Sequence, residues 1–175
     1  MTSSITIVDV ETTGLSVERD AIIEIGAVRI VCGEIRDTMR AAVRVTKGCS
    51  DEAADVNRYW DRLQAGEWED AVPIAVAIGQ LIQFRGEDVV GYWSGFDAAM
   101  LDAESMRIGI ERPRWGHHGL DLASAYAALH GLPHAIGLDE AMEREGIKAD
   151  DLEPERHTAL GDARLAARVW LAGHR

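Results

Sequence analysis

Four acidic residues in three separated stretches, with a histidine near the last of them, are the side chains whose types and spacing could do chemistry. Asp9 and Glu11 stand two apart in Ile5-Thr6-Ile7-Val8-Asp9-Val10-Glu11-Thr12-Thr13-Gly14. Asp97 closes Val89-Val90-Gly91-Tyr92-Trp93-Ser94-Gly95-Phe96-Asp97, and Asp162 closes His157-Thr158-Ala159-Leu160-Gly161-Asp162. Carboxylate oxygens are hard ligands suited to Mg²⁺ or Mn²⁺. Histidine exchanges a proton near neutral pH. Together they suit a two-metal site that cuts phosphodiester bonds, with His157 placed to activate water.

Each residue also has a plain structural reading. On a strand, Asp9 and Glu11 point to one face. At about 4 Å, two like charges repel by roughly 4 kcal/mol at a surface dielectric, a penalty that a divalent cation removes. The alternative is that the strand ends early and both acids are solvated turn residues. Ser94-x-x-Asp97 fits a helix capping box, yet the preceding strand also puts Asp97 at the carboxyl end of the sheet, where α/β sites gather. Residues five apart on a helix lie about 140° apart around its axis. His157 is therefore expected on the turn leading into a helix, with Asp162 on the first ordered turns facing the sheet. The alternative is a solvated histidine and a surface acid.

The elements that must position these residues follow from apolar period and turn chemistry. Ile5–Val10 and Ala21–Val31 read as strands, Gly26 marking a bulge in the second. Cys32-Gly33-Glu34 is a hairpin turn and Thr38–Val45 a third strand, so the chain opens as an antiparallel meander. A helix is expected over Asp55–Gln64, and another over Ala71–Phe84 with Pro73 in its first turn. Asp88–Tyr92 reads as a strand and Phe96–Ile108 as a helix. Leu122, Ala125, Tyr126 and Leu129 share one helix face. Leu138–Glu145 is a short helix ended by Gly146. Leu160, Ala163, Ala167 and Leu171 mark the last helix. Strands first, then strands alternating with helices, predict an α/β fold with a mixed sheet, in a single domain over residues 1–175.

Bulk properties narrow the function. The 175 residues carry 47% hydrophobic and 27% charged side chains, ordinary for a globular protein. No apolar run reaches membrane-spanning length, and no signal peptide is evident. Cys32 and Cys49 form no C-x-x-C pair, and two unpaired thiols in a cytoplasmic protein are expected. The net charge of -12 argues against coating nucleic acid by broad phosphate neutralisation, though not against gripping a short end through metal ions. The most basic stretch holds Arg107, Arg112, Arg114, Trp115, His117 and His118. It reads either as a solvated connection around one buried tryptophan or as a contact for the strand beyond the scissile end, Trp115 stacking a base.

D-x-E-T-T-G near the N-terminus, F-D after a mid-chain strand, and H-x-x-x-x-D near the C-terminus are similar in order and spacing to the DEDDh 3′–5′ exonucleases. That DnaQ-like family includes proofreading subunits, RNase T and oligoribonuclease, and the resemblance runs from Ile5 to about Trp170. It implies an RNase H-like fold: three antiparallel strands, later parallel strands, flanking helices. It also implies that Asp9, Glu11, Asp97 and Asp162 hold two divalent metal ions, Mg²⁺ or Mn²⁺, and that His157 is the general base. Thr12, Thr13, Gly14 and Leu15 would cradle the terminal nucleotide, with Phe96 packed beneath the site. One departure stands out: many relatives carry Asn shortly before F-D, and Tyr92-Trp93-Ser94-Gly95 has none. The expected partner is a nucleic acid 3′ end, single-stranded DNA first and RNA second. A homo-oligomer and a polymerase or replication partner are further candidates, although no obvious polymerase-attachment tail is seen. The rival from another class is a nuclease-like binding module with weak or no catalysis.

Overall fold

A computed structural model describes residues 4–46, 48–110, 115, 119–148 and 156–174. Its sheet has five strands in the order β3-β2-β1-β4-β5. β1 (Ser4–Thr12), β2 (Ile22–Val31) and β3 (Glu34–Ala42) form the antiparallel meander; β4 (Val89–Tyr92) and β5 (Leu120–Asp121) add in parallel. The helices are α1 (Asp51–Asn57), α2 (Tyr59–Gln64), α3 (Ile74–Arg85), α4 (Gly95–Arg107), α5 (Leu122–Leu129), α6 (Leu138–Arg144) and α7 (Ala159–Gly173). This is the mixed sheet that the sequence predicts.

Strand periodicity divides β1 between two layers. Val8 and Val10 join Ile25, Ala27 and the buried residues of α3 and α4 in one core cluster. Ile7 joins Val28, Ile30 and the alanines Ala163, Ala166 and Ala167 of α7 in the other. Asp9 and Glu11 continue the Ile5–Ile7 row. The face that is apolar under the middle of α7 thus becomes acidic under its first turn. Alanine at the contact lets the helix lie close, and burial of the branched row supplies about 25 cal/mol per Å² of apolar surface removed from water.

Gly26 is not a bulge. It pairs regularly with Asp9, and the ladder slips between Glu11 and Thr12, where Ile23 is the extra residue. A Cβ on Gly26 would lie 2.2 Å from backbone atoms of Ala159 and Leu160. The glycine is there because the start of α7 sits on it. β3 begins four residues earlier than expected. Cys32 and Gly33, both at positive φ, make a two-residue turn, so Glu34 pairs at once with Val31.

The stretch expected as one helix is two. Ser50 Oγ accepts the amide of Ala53 and starts α1; Arg58, at φ 55°, breaks the chain before α2. Pro73 caps α3 from outside the helix, because Val72 is held by a parallel bridge to Val43. β5 has only two residues, too few to show a period. Cys32 and Cys49 are free thiols, as expected. Among the described residues no helix is long and apolar enough to cross a membrane.

Candidate active site

Three of the predicted acids meet. Asp9, Glu11 and Asp162 each offer an oxygen within 4.8 Å of the others. β1 supplies the first two from one face, and α7 supplies Asp162 from its first turn. Thr158 caps that helix, its Oγ1 accepting the amide of Gly161 at 3.0 Å.

Asp97 stands outside this trio but lines the same cleft as Asp9, His157 and Asp162, a space of about 280 Å³. Ser94 caps α4, and the Asp97 carboxylate takes a hydrogen bond from the Ser94 backbone. The capping reading and the site reading are both satisfied by one side chain. His157 sits on the turn before α7, exposed and at φ 60°. That conformation is rare outside glycine.

The electrostatics are those of an acid cluster short of cations. Burial, then repulsion from Asp97, Glu11 and Asp162, drives the Asp9 carboxyl well above its ordinary range. Burial and the neighbouring Asp162 push Glu11 up to about 8. Burial lifts Asp97 to about 7, against backbone hydrogen bonds that pull the other way. A set of hard oxygen donors that repel one another fits Mg²⁺ or Mn²⁺, which would neutralise the excess charge.

Beside the acids lies a second pocket of about 450 Å³, mostly apolar, with Thr12, Gly14, Leu15 and Phe96 in its lining and Ala53 and Val56 of α1 as its far wall. Leu15 is 84% exposed at the rim. Asn57 Nδ2 donates to the Thr12 carbonyl at 3.1 Å, and Ser50 N to the Thr13 carbonyl at 2.8 Å, which tie the loop to α1. Thr13 differs from its neighbours. Its hydroxyl accepts the Ala21 amide and its side chain is fully buried, so it braces the loop from behind. A Cβ at Gly14 would strike the Asp20 carboxylate at 2.5 Å, and that same carboxylate accepts the Ser16 amide.

A family model described as exonuclease, RNase T, matches residues 6–170. The chain belongs to this exonuclease family. The DEDDh resemblance carried by the three motifs holds. This exonuclease domain is 29% identical over 168 residues to the PolC-type DNA polymerase III of Thermotoga maritima, covering 94% of the chain and 11% of that protein. It is 30% identical over 107 residues to the Listeria innocua counterpart, covering 61% and 7%. The exonuclease domain thus spans about a tenth or less of the curated relatives it matches. Among solved structures it is similar to the nuclease domain of 3′hExo, a DEDDh family member bound to rAMP, with TM-score 0.80 and 18% identity over 97% of this chain and 90% of that one. It is also similar to E. coli exonuclease I in complex with a dT13 oligonucleotide, with TM-score 0.75 and 13% identity over 95% and 40%. At these identities the structural likeness speaks for the fold.

Several residues of the site escaped sequence reasoning. Arg156 lies in the cleft, 2.6 Å from Asp162 and paired also with Asp139. Glu24, fully buried, stands opposite Glu11 in the ladder. An acid inside Ile22-Ile23-Glu24-Ile25 was the available signal, since a buried carboxylate needs partners. Trp93, in the stretch before Phe96-Asp97 that has no Asn, lines the cleft and donates from Nε1 to the Ile136 carbonyl at 3.1 Å, so it joins β4 to the segment before α6. The stacking reading of Trp115 is overturned: its ring is fully buried in the core. Arg107 is engaged with Glu104 and with the carbonyls of Asp20 and Val17. Arg112, Arg114, His117 and His118 lie outside the described residues.

Proposed function

We propose that the protein is a metal-dependent 3′–5′ exonuclease that releases nucleoside 5′-monophosphates from the 3′ ends of nucleic acid, single-stranded DNA foremost. The observation that carries this reading is the convergence of Asp9, Glu11 and Asp162 beside Asp97 and His157, next to a pocket of nucleotide scale. Asp9, Glu11, Asp97 and Asp162 would hold two ions. When bound, such ions supply charge to the phosphate and a water of lowered pKa.

The chain's own groups do the rest. His157, exposed on its turn, accepts a proton at a ring nitrogen as water is deprotonated. Leu15 and Phe96 grip the terminal base between apolar surfaces, and the Thr12–Gly14 backbone holds the sugar. DNA is supported by the polymerase relatives; the ribonucleotide bound to the 3′hExo domain keeps RNA as the second reading. A polymerase partner is supported by the same relatives.

The test is an assay on 5′-labelled single- and double-stranded DNA and RNA with Mg²⁺, Mn²⁺ or chelator. A stepwise ladder from the 3′ end of single-stranded DNA, lost with chelator, is expected. Cutting of a circular strand, or degradation that persists in Asp9→Ala, would overturn the reading.

A further inference from the structure

Glu24 has no place in the four-acid motif, yet it is the most deeply buried acid near the site, at 0% exposure. Its Oε1 pairs with Arg40. Its Oε2 pairs with Arg62 at 2.7 Å and accepts the Ala159 amide at 3.2 Å. That amide belongs to the first residue of α7, between His157 and Asp162. The anchor is reinforced two residues along β2, where the Ala159 and Leu160 backbone rests on Gly26. Arg62 is itself 5% exposed and spans Glu24 and Glu67.

We propose that Glu24 is a positioning residue of the metal site, fixing the first turn of α7 over β1. Its hydrogen bond from the Ala159 amide sets where Asp162 meets Asp9 and Glu11. The pairs with Arg40 and Arg62 hold the Glu24 carboxylate in place for that contact. The inference rests on the metal-site reading above.

The test is calorimetric Mn²⁺ binding to the whole chain without substrate, alongside thermal unfolding. Glu24→Gln should raise the Mn²⁺ dissociation constant roughly ten-fold, the scale of losing an outer-shell partner of metal ligands. The control is Asp88→Asn, which breaks the ion pair of another buried carboxylate, with the half-buried Arg29 at 2.8 Å, at the Ser4 end of β1. It should lower the unfolding temperature and leave Mn²⁺ affinity within about two-fold, as expected of a lesion beyond the outer shell. Glu24→Asp keeps the charge and shortens the reach by one methylene, and it decides the matter should Glu24→Gln not fold; weakened Mn²⁺ binding in it supports the proposal. Wild-type affinity in Glu24→Asp, or equal losses in Glu24→Gln and Asp88→Asn, would overturn it. Wild-type protein that binds no Mn²⁺, or Mn²⁺ binding that survives Asp9→Asn, would instead bring down the metal-site reading and the proposal with it.

Discussion

Asp9 stands opposite Gly26 in the β1–β2 ladder, and the missing side chain at that pair is where α7 comes to rest. The consequence is a sharp prediction for Gly26→Ala. The added methyl would meet Ala159 and Leu160 backbone at 2.2 Å, which cannot be relieved by turning a side chain. Overpacking of this kind costs about 1–3 kcal/mol. Because α7 must lift, Asp162 leaves its partners and nuclease activity should fall further than stability alone dictates. Gly79→Ala in α3, where nothing lies within 4 Å, should instead stabilise by about 0.5–1 kcal/mol. Denaturant midpoints and rates on one oligonucleotide check both; Gly26→Ala with unchanged activity would be the contrary result.

Stability should depend on pH and metal together. The folded chain raises Glu11 to about 8 and Asp97 to about 7, both above their unfolded values. Between the unfolded and folded values the native state holds more protons than the unfolded state, so metal-free stability declines as pH climbs through that window. Divalent ions must displace those protons, so their affinity rises with pH over the same span. Thermal unfolding with chelator should give a lower midpoint at pH about 8.5 than at about 5, and Mn²⁺ should restore it most at the higher pH. A chelated protein whose midpoint rises over this span would contradict the assignment.

Asp9→Asn separates stability from chemistry. It removes an acid whose charged form is disfavoured by burial and by its acidic neighbours. The metal-free variant should gain about 1 kcal/mol, or roughly 2–4 °C in unfolding temperature. Its hydrolysis should drop roughly a thousand-fold, about 4 kcal/mol of barrier. Unfolding curves and single-turnover rates on the same preparation read the two effects. A less stable metal-free variant would mean the acids are not in conflict.

The alternation of β1 made the one-sided placement of Asp9 and Glu11 legible from sequence, and the angle between residues five apart on a helix placed His157 ahead of α7. Glu24 was signalled by its apolar neighbours, but its partners were not, because Arg40 and Arg62 come from separate elements that only the folded sheet brings together. The break at Arg58 was hidden because arginine, unlike glycine, does not announce a left-handed turn. Arg156 was invisible for a similar reason: its two acidic partners lie on α6 and α7. Gly26 was read from sequence as a bulge; a strand glycine also serves close backbone approach, and the position of Ala159 shows that this is its use here.

Leu15 offers the cleanest test of the pocket, since it has little to do with folding. At 84% exposure, its truncation to alanine should change stability by less than about 0.5 kcal/mol. Its role would begin only when a terminal base covers it opposite Phe96, which also packs against the core and so cannot be truncated without structural cost. Burying a leucine side chain against a ligand contributes roughly 1.5–3 kcal/mol. Leu15→Ala should therefore raise KM roughly ten- to a hundred-fold. If the contact persists through the reaction, kcat stays near wild type, because the ground state and the transition state lose it equally. An unchanged KM would mean that the 3′-terminal nucleotide sits elsewhere, and a fall in kcat alone would mean that Leu15 aligns the scissile phosphate rather than holding the base.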